Sequence, residues 1–378
     1  MQSIALLQDS WRLLRSRKLF WITLAINLLV VVLYGSIGFT ENGVSILFGL
    51  TSFEAPRFRL GLPLARELYL TIFANFIVTL WLGWIATALA IISTTSIFPD
   101  FLSEGAIDMV LAKPISRTRV FLVKYAGSLL FVLMQVTTFC VGAFLCVGWR
   151  MGEWNWGLFV AIPLIVLFFS YLYCVNVLLG VLTRSTIAAL IGTAIFWLVL
   201  WATNSAETIV RQIAYRQDEE AIAAVARRDD LDKRLKELEA AGKTRETSNE
   251  FERVRGSLKT ARQTADEEAE DASLGMRWLT GIEWATLILP KHAETIGLVD
   301  RWVGKDPERS FSELLLGNGP PPRMPEERRE QFAMDRRVSE RVEASVKSTS
   351  SLWIIGSSLA FEVVVLGAAV WLFRRKDF

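Results

Sequence analysis

Residue types that catalysis or metal binding would need are few and scattered in this chain of 378 residues. His292 is the only histidine, so a His-based zinc site or a Ser–His–Asp triad has a single candidate. It lies beside Lys291 and away from any cysteine, which predicts a surface histidine near lipid headgroups. The three cysteines all fall in apolar runs, which favours small packing residues over a disulfide framework or a zinc site; they are Cys140, Cys146 and Cys174.

One short run is similar to a phosphate-binding loop, but its pattern is incomplete. Gly242-Lys243-Thr244 supplies the last three letters of GxxxxGK(S/T), whose backbone amides bind phosphate. Glu237 occupies the position of the first glycine, which puts a carboxylate where phosphate would sit, and no strand pattern precedes it. The paired acids Glu267 and Glu268 are typical of a solvated helix face. We therefore predict that the chain is not an enzyme and has no catalytic, cofactor-binding or metal-binding residues.

The composition indicates a membrane protein. Hydrophobic residues make up 52% of the chain and charged residues 21%, and the mean hydropathy is +0.36. The apolar residues come in blocks, and a bilayer core about 30 Å thick needs roughly 20 apolar helical residues to cross. The net charge of +2 is too small to indicate nucleic-acid binding. We expect an all-α integral membrane protein with six transmembrane helices, near Leu19–Phe39, Leu68–Phe98, Val120–Val147, Gly157–Leu182, Thr186–Thr203 and Ser351–Phe373.

Basic residues in the short connections predict the orientation of these spans. They concentrate before the first span, between the second and third, and after the sixth, which are the sides expected to face the cytoplasm. Both termini are therefore expected to be cytoplasmic, in a multi-pass protein of the inner (plasma) membrane. The first apolar run is longer than the core of a signal peptide, so we interpret it as a retained helix.

A long charged segment separates the fifth and sixth spans and divides the chain into three parts. Residues 1–205 would hold spans one to five with a cytosolic coupling loop at 99–119, and residues 349–378 the sixth span and the C-terminus. Residues 206–348 would form an extracytoplasmic helical insert, because long domains cross membranes regardless of charge. Within it we expect a helical hairpin at 207–273, an interfacial segment at 274–304, and a loop and helix at 305–348.

The hairpin prediction rests on apolar residues that recur at three- or four-residue spacing on either side of a turn near Gly242. A narrow apolar stripe with charged flanks is typical of an antiparallel coiled coil, and a solvated single helix is the alternative. The stripe residues are Ile222, Val225, Leu231, Leu235 and Leu238 before the turn, and Phe251, Val254, Leu258, Ala261 and Ala265 after it.

Glu362 is the only carboxylate well inside a predicted span. An ionisable group in hydrocarbon costs several kcal/mol unless it faces a partner or a water-filled cavity. Two interpretations stay open: an intramembrane polar site on a substrate or proton pathway, and a buried carboxylate bonded to a neighbouring helix.

The segment between the second and third spans carries charges in an order that a plain loop would not need. Ser103 can cap a short helix, Glu104 suits its first turn, and Pro114 stops it. Apolar residues would then supply affinity for a socket on another protein, and charges at their rim would set the register. A short helix that binds only lipid is the alternative. The docking residues would be Ser103, Glu104, Gly105, Ile107, Asp108, Val110, Leu111, Lys113, Pro114 and Arg117.

This segment resembles the coupling helix of ABC-2 type transporter permeases, in particular the six-helix branch that includes the nitrous-oxide-reductase maturation permease. The shared pattern is an acid, a glycine, an apolar pair, a proline, a small residue with arginine, and a lysine that opens the third span. Here it reads Glu104, Gly105, Val110-Leu111, Pro114, Ser116-Arg117 and Lys124, and the basic ending Arg374-Arg375-Lys376-Asp377 is also similar. The chain departs from the family in its long insert and in Ala106, where the family commonly has threonine.

The resemblance implies a permease subunit that couples ATP hydrolysis on a separate ATPase subunit to substrate export or translocation. ATP would be bound by that partner, so no cofactor is expected here. A second permease copy, in a homodimer, and membrane lipids are the other expected partners, and the insert would bind an envelope protein or guard the exit path. The alternative is a membrane-anchored envelope scaffold that uses the coiled-coil insert. An ion-coupled transporter would rest on Glu362 alone.

Overall fold

The computed structural model describes residues 18–102, 116–152, 154–243, 249–302 and 325–375. They are mostly helical, and six helices are long and apolar enough to cross a membrane, as predicted. The described residues divide into two compact units. The first takes its residues from 1–200, 289–318 and 351–378, and the second from 201–288 and 319–350.

The first unit holds the apolar helices. Their bounds are α1 (Lys18–Ser36), α2 (Pro63–Thr71), α3 (Thr87–Thr94), α4 (Ile97–Phe101), α5 (Arg117–Met151), α6 (Ala161–Thr183), the start of α7 (Thr186–Ala240), α9 (His292–Trp302) and α11 (Ser351–Arg375). Short 3₁₀ turns occur at Leu47–Gly49, Pro56–Phe58 and Trp156–Val160. Helix α6 is central, because it packs against α5, α9 and α11. Aromatic side chains that are fully buried line its core, namely Phe168, Phe169, Tyr171 and Tyr173.

The second apolar helix is wider than an ordinary α-helix over much of its length. Between α2 and α3 the chain forms a π-helix at Ile72–Ala86. Two threonine hydroxyls follow this geometry, since Thr79 Oγ1 donates to the carbonyl of Ala74 at 3.0 Å and Thr87 Oγ1 to that of Leu82 at 2.8 Å, each five residues earlier. π-Helical turns cost hydrogen-bond geometry and occur frequently at functional sites. The spacing of apolar residues in the sequence did not predict this π-helix.

A small antiparallel sheet follows α1, where the sequence predicted only a short connection. Its strands are β1 (Gly38–Thr40), β2 (Gly43–Ile46) and β3 (Thr51–Glu54), in that spatial order. Val44 lies opposite both Phe39 and Phe53 in the register. Gly43 is required here, because a Cβ at this position would collide with the backbone of Phe53 and Ala55.

The second unit contains the remainder of α7 together with α8 (Asn249–Ala285), a 3₁₀ turn (Thr286–Ile288) and α10 (Glu326–Ser348). Ion pairs join Arg234 to Glu250 at 3.2 Å and Arg262 to Asp232 at 2.9 Å. Residue numbers rise along α7 as they fall along α8, so the two helices run antiparallel. Hydrogen bonds from Lys236 and Arg262 lower the pKa of Asp232.

The hairpin core differs from the predicted stripe in one place. Leu238, Phe251 and Val254 are buried together, with Leu231 and Leu235 packed against them. Ile222 is instead 53% exposed, and its neighbour Ala221 is buried. The stripe assignment was therefore wrong at Ile222, because the helix rotates a smaller residue inward there. Helix α8 also continues to Ala285, beyond the predicted end at residue 273.

The predicted interfacial segment is not a surface helix throughout. Helix α9 packs against α6, α11 and the π-helix, and Leu298 and Val299 are buried. His292 is only 7% exposed and its ring lies 6.2 Å from that of Phe168, so the expected surface histidine was a wrong prediction. Burial lowers the pKa of His292 to about 4. The apolar residues after Pro290 thus complete the core of the first unit.

Candidate functional site

Most of the predicted docking segment lies outside the described residues. This applies to Ser103, Glu104, Gly105, Ile107, Asp108, Val110, Leu111, Lys113 and Pro114. Arg117 is described, and it is the first residue of α5. Two described segments of the chain lead into and out of 103–115.

Buried aromatic rings anchor both of these segments. Helix α4 ends at Phe101, whose ring stacks on that of Phe373 at 6.2 Å. Phe121, one turn into α5, lies 5.6 Å from Phe373 and 4.9 Å from Phe98. Because all four rings are at most 7% exposed, the entry and exit of the docking segment are held against the end of α11.

Basic groups surround this aromatic cluster. Arg117 Nη1 donates to the backbone carbonyl of Arg374 at 3.4 Å. Lys124 Nζ lies over the ring of Phe101 at 5.6 Å, and the guanidinium of Arg375 lies over Trp371 at 4.1 Å. Cations near the C-terminal end of α11 are favoured by the helix dipole. The residues that flank the docking segment and the basic residues Arg374 and Arg375 thus share one end of the first unit.

A buried amide connects this end to two neighbouring helices. Asn176 on α6 donates from Nδ2 to Thr95 Oγ1 at 3.1 Å, in the short link between α3 and α4. The same nitrogen donates to Thr193 Oγ1 on α7 at 3.0 Å. Nearby, Pro99 of α4 packs on Gly180 of α6, where an added Cβ would approach the proline ring to 3.4 Å. A movement of α4 would therefore displace side chains on both α6 and α7.

Glu362 has hydrogen-bond donors on two other helices. Tyr125 on α5 donates to Oε1 at 2.8 Å, and Ser170 on α6 donates to Oε2 at 2.7 Å. The carboxylate is 8% exposed. Both oxygens have a partner, which is the arrangement expected of a buried carboxylate bonded to neighbouring helices.

A second buried polar network joins α1, the π-helix and α5. Asn27 Nδ2 donates to Gln135 Oε1 at 2.8 Å, and Trp81 Nε1 donates to Asn27 Oδ1 at 2.9 Å. Gln135 Nε2 donates in turn to Thr23 Oγ1 at 3.0 Å. This network was not predicted from the sequence, although two amides inside apolar runs were a visible signal.

No group of three or more potential metal ligands occurs among His, Cys, Asp and Glu of the described part of the chain. Cys140 and Cys174 are buried in the apolar core, and Cys146 is half-buried. The thiols of Cys146 and Cys174 each lie within hydrogen-bond distance of a backbone carbonyl, at 3.7 and 3.1 Å.

Comparison with known proteins assigns the chain to a family. No curated protein and no solved structure matches the sequence. A family model described as "Protein of unknown function (DUF2705)" matches residues 21–210. The match includes the docking segment, the Asn176 contacts and the buried amides Asn27 and Gln135, and ends within α7. Since it spans half of the chain, the protein belongs to the DUF2705 family.

Proposed function

We propose that this protein is the membrane-spanning permease subunit of an ABC-2 type transporter, and that residues 103–117 form its ATPase-docking site. The observation that carries the proposal is the anchoring of both ends of this segment. Phe101 and Phe121 hold its two ends against Phe373, and Arg117 reaches the carbonyl of Arg374. A docking helix can transmit force only if its two ends are fixed to the spans it must move.

In this proposal the chain itself performs no chemistry. ATP binds to a separate ATPase subunit, which seats the apolar residues Ile107, Val110 and Leu111 in a socket. Glu104 and Asp108 set the register of that contact. Closure of the ATPases would pull on α4 and α5, and the Asn176 contacts would pass the movement to α6 and α7.

The assembly would be a homodimer in the inner membrane, with one ATPase on each copy. Both termini and the docking segment would face the cytoplasm, and the α7–α8 hairpin would lie outside.

Charge reversal tests the docking site directly. Glu104→Lys and Asp108→Lys should each reduce the recovery of a co-expressed, separately encoded ATPase by at least about tenfold, because a lysine placed opposite a basic partner residue creates a like-charge contact, and such contacts cost several kcal/mol. A loss of about 1.4 kcal/mol already corresponds to tenfold weaker binding. The measurement is the amount of ATPase that co-purifies with the tagged full-length chain. Glu239→Lys, an exposed charge reversal near the hairpin turn, is the matched control and should leave recovery unchanged. Full recovery with both docking variants would refute the proposed interface.

A scaffold function is the second candidate, and the long charged hairpin is the observation that favours it. Ion pairs along α7 and α8, such as Arg262–Asp232, leave a highly charged surface that could bind an envelope protein. A scaffold would not associate with an ATPase. Its cellular phenotype would also persist when ATP hydrolysis by the candidate partner is abolished, whereas that of a permease would be lost.

A further inference from the structure

The two turns of the small sheet differ in polarity. The β1–β2 turn carries the exposed polar residues Glu41 and Asn42, as a soluble turn should. The β2–β3 turn is Leu47-Phe48-Gly49-Leu50, which we call the apolar turn. Its side chains are open to the surroundings, with Phe48 54% and Leu50 86% exposed.

The backbone of the apolar turn is strained. Leu47 and Phe48 have φ angles of +54° and +59°, in the left-handed region that large apolar residues rarely adopt. Hairpin turns with this geometry normally use Asn, Asp or Gly. Strain of this kind persists where the surroundings favour it, and it often marks a binding surface.

The apolar turn folds back onto α1, which precedes it, and reaches the end of α5. It contacts α1, and the ring of Phe48 lies 6.3 Å from that of Trp149 near the end of α5. Trp149 is 68% exposed, and the sides of the two helices beside it are also open, with Leu33 and Leu145 half exposed. One apolar surface therefore continues from the flanks of two membrane-length helices onto the turn.

Arg150 places a positive charge at the edge of this surface. Its Nε donates to the carbonyl of Gly35 at the end of α1, at 2.7 Å. Its guanidinium lies 5.4 Å from the ring centre of Phe48 and 4.4 Å from that of Trp149. A cation held among aromatic rings is typical of the headgroup level of a bilayer, where apolar bodies and polar tips meet.

We propose that the apolar turn, together with Trp149 and Trp154, is an interfacial anchor that inserts into the headgroup and acyl boundary of the bilayer. An open hollow of about 450 Å³ beside it, lined by Leu145, Cys146, Trp149 and Trp154 among others, suits a lipid acyl chain. The occupant is a phospholipid surface, because the patch continues the apolar flanks of α1 and α5. The inference rests on the membrane insertion of the proposed function and is independent of ATPase docking.

Depth-dependent quenching in reconstituted protein tests this anchor. Leu50→Cys, in a full-length background with Cys146→Ser, is labelled with NBD and reconstituted into nanodiscs of phosphatidylcholine and phosphatidylglycerol. Asn42→Cys, in the polar turn of the same sheet, is the matched control. We expect a blue-shifted NBD spectrum at position 50, at least twofold quenching by lipid with a nitroxide near its headgroup, and little quenching by iodide. Position 42 should show the reverse pattern.

Equal iodide quenching at positions 42 and 50, with no quenching by the labelled lipid, would overturn the anchor. Rapid formation of a disulfide-linked dimer by unlabelled Leu50→Cys, without lipid quenching, would assign the patch to a second copy and also overturn it. Both variants alter exposed side chains, and a monodisperse elution profile confirms that they are folded. Full ATPase recovery with both docking variants, which would refute the docking site, would leave these results unaffected, so the two proposals fail separately.

Discussion

Buried polar side chains in the apolar helices are tied to one another across helix boundaries. Glu362, Asn176 and the Asn27–Gln135 pair each bond to residues on at least one other helix. In a low-dielectric environment an unpaired polar group is costly, so such bonds specify which helices are neighbours. Glu362 was predicted from the sequence to be a buried polar site because it is charged. The uncharged amides were overlooked, since Asn and Gln disturb an apolar run less than a carboxylate does.

The two interpretations of Glu362 predict different behaviour of conservative variants. In the Glu362→Gln variant, Tyr125 can still donate to the side-chain oxygen, and the new amide nitrogen can donate to Ser170. We expect a change of less than about 1 kcal/mol in the free energy of unfolding. Glu362→Ala should cost about 1–2 kcal/mol, because Tyr125 and Ser170 keep only their backbone acceptors, the carbonyls of Ser170 and Leu167.

Thermal unfolding of the purified protein in detergent measures both changes. A loss with Glu362→Gln as large as that with Glu362→Ala would show that the negative charge itself is required. A stable Glu362→Gln variant that no longer supports the protein's cellular function would instead favour the pathway interpretation.

At the scale of elements, apolar run length predicted the helices well and irregular structure poorly. The predicted span Gly157–Leu182 corresponds to the 3₁₀ turn at Trp156–Val160 and α6, because a long apolar block has few structures other than a helix available to it. The three-stranded sheet was missed because its strands have only three or four residues each. The burial of α9 was missed because its mixed composition also suits an interfacial helix.

The contacts beside the docking segment could not be predicted from the sequence either. Charge order and a proline identified residues 103–117, but no periodicity could show that Phe101 and Phe121 both meet Phe373. That contact joins positions more than 250 residues apart in the chain, and only the packing of α11 brings them together.

Asn176 gives a test of how α4, α6 and α7 are connected. Asn176→Ala should lower the free energy of unfolding by about 2 kcal/mol, since each lost hydrogen bond contributes about 1 kcal/mol. Thr193 retains its own bond to the carbonyl of Ala189, so it is not left unsatisfied. A double-mutant cycle with Thr193→Ala should show a coupling energy of about 1 kcal/mol. A coupling energy near zero would mean that the contact does not join the helices energetically.

For the whole molecule, the number of helices that cross the membrane decides where the hairpin lies. Helix α7 has 55 residues and is therefore about 80 Å long, well beyond the roughly 30 Å of a bilayer core. Its apolar part comes first, and its charged part continues to the turn at Gly242 without a break in the helix. If α7 is the fifth span and α11 the sixth, the turn and the C-terminus must face opposite sides.

Topology reporters at these two points test that arrangement. Alkaline phosphatase inserted after Gly242 should be active, because it folds only outside the cytoplasm, and the same enzyme fused after Phe378 should be inactive. Green fluorescent protein should give the complementary result, with fluorescence only at the C-terminus. An inactive phosphatase at Gly242 together with a fluorescent fusion there would place the hairpin in the cytoplasm. It would then lie on the same side as residues 103–117, and the proposed extracytoplasmic location of the hairpin would be wrong.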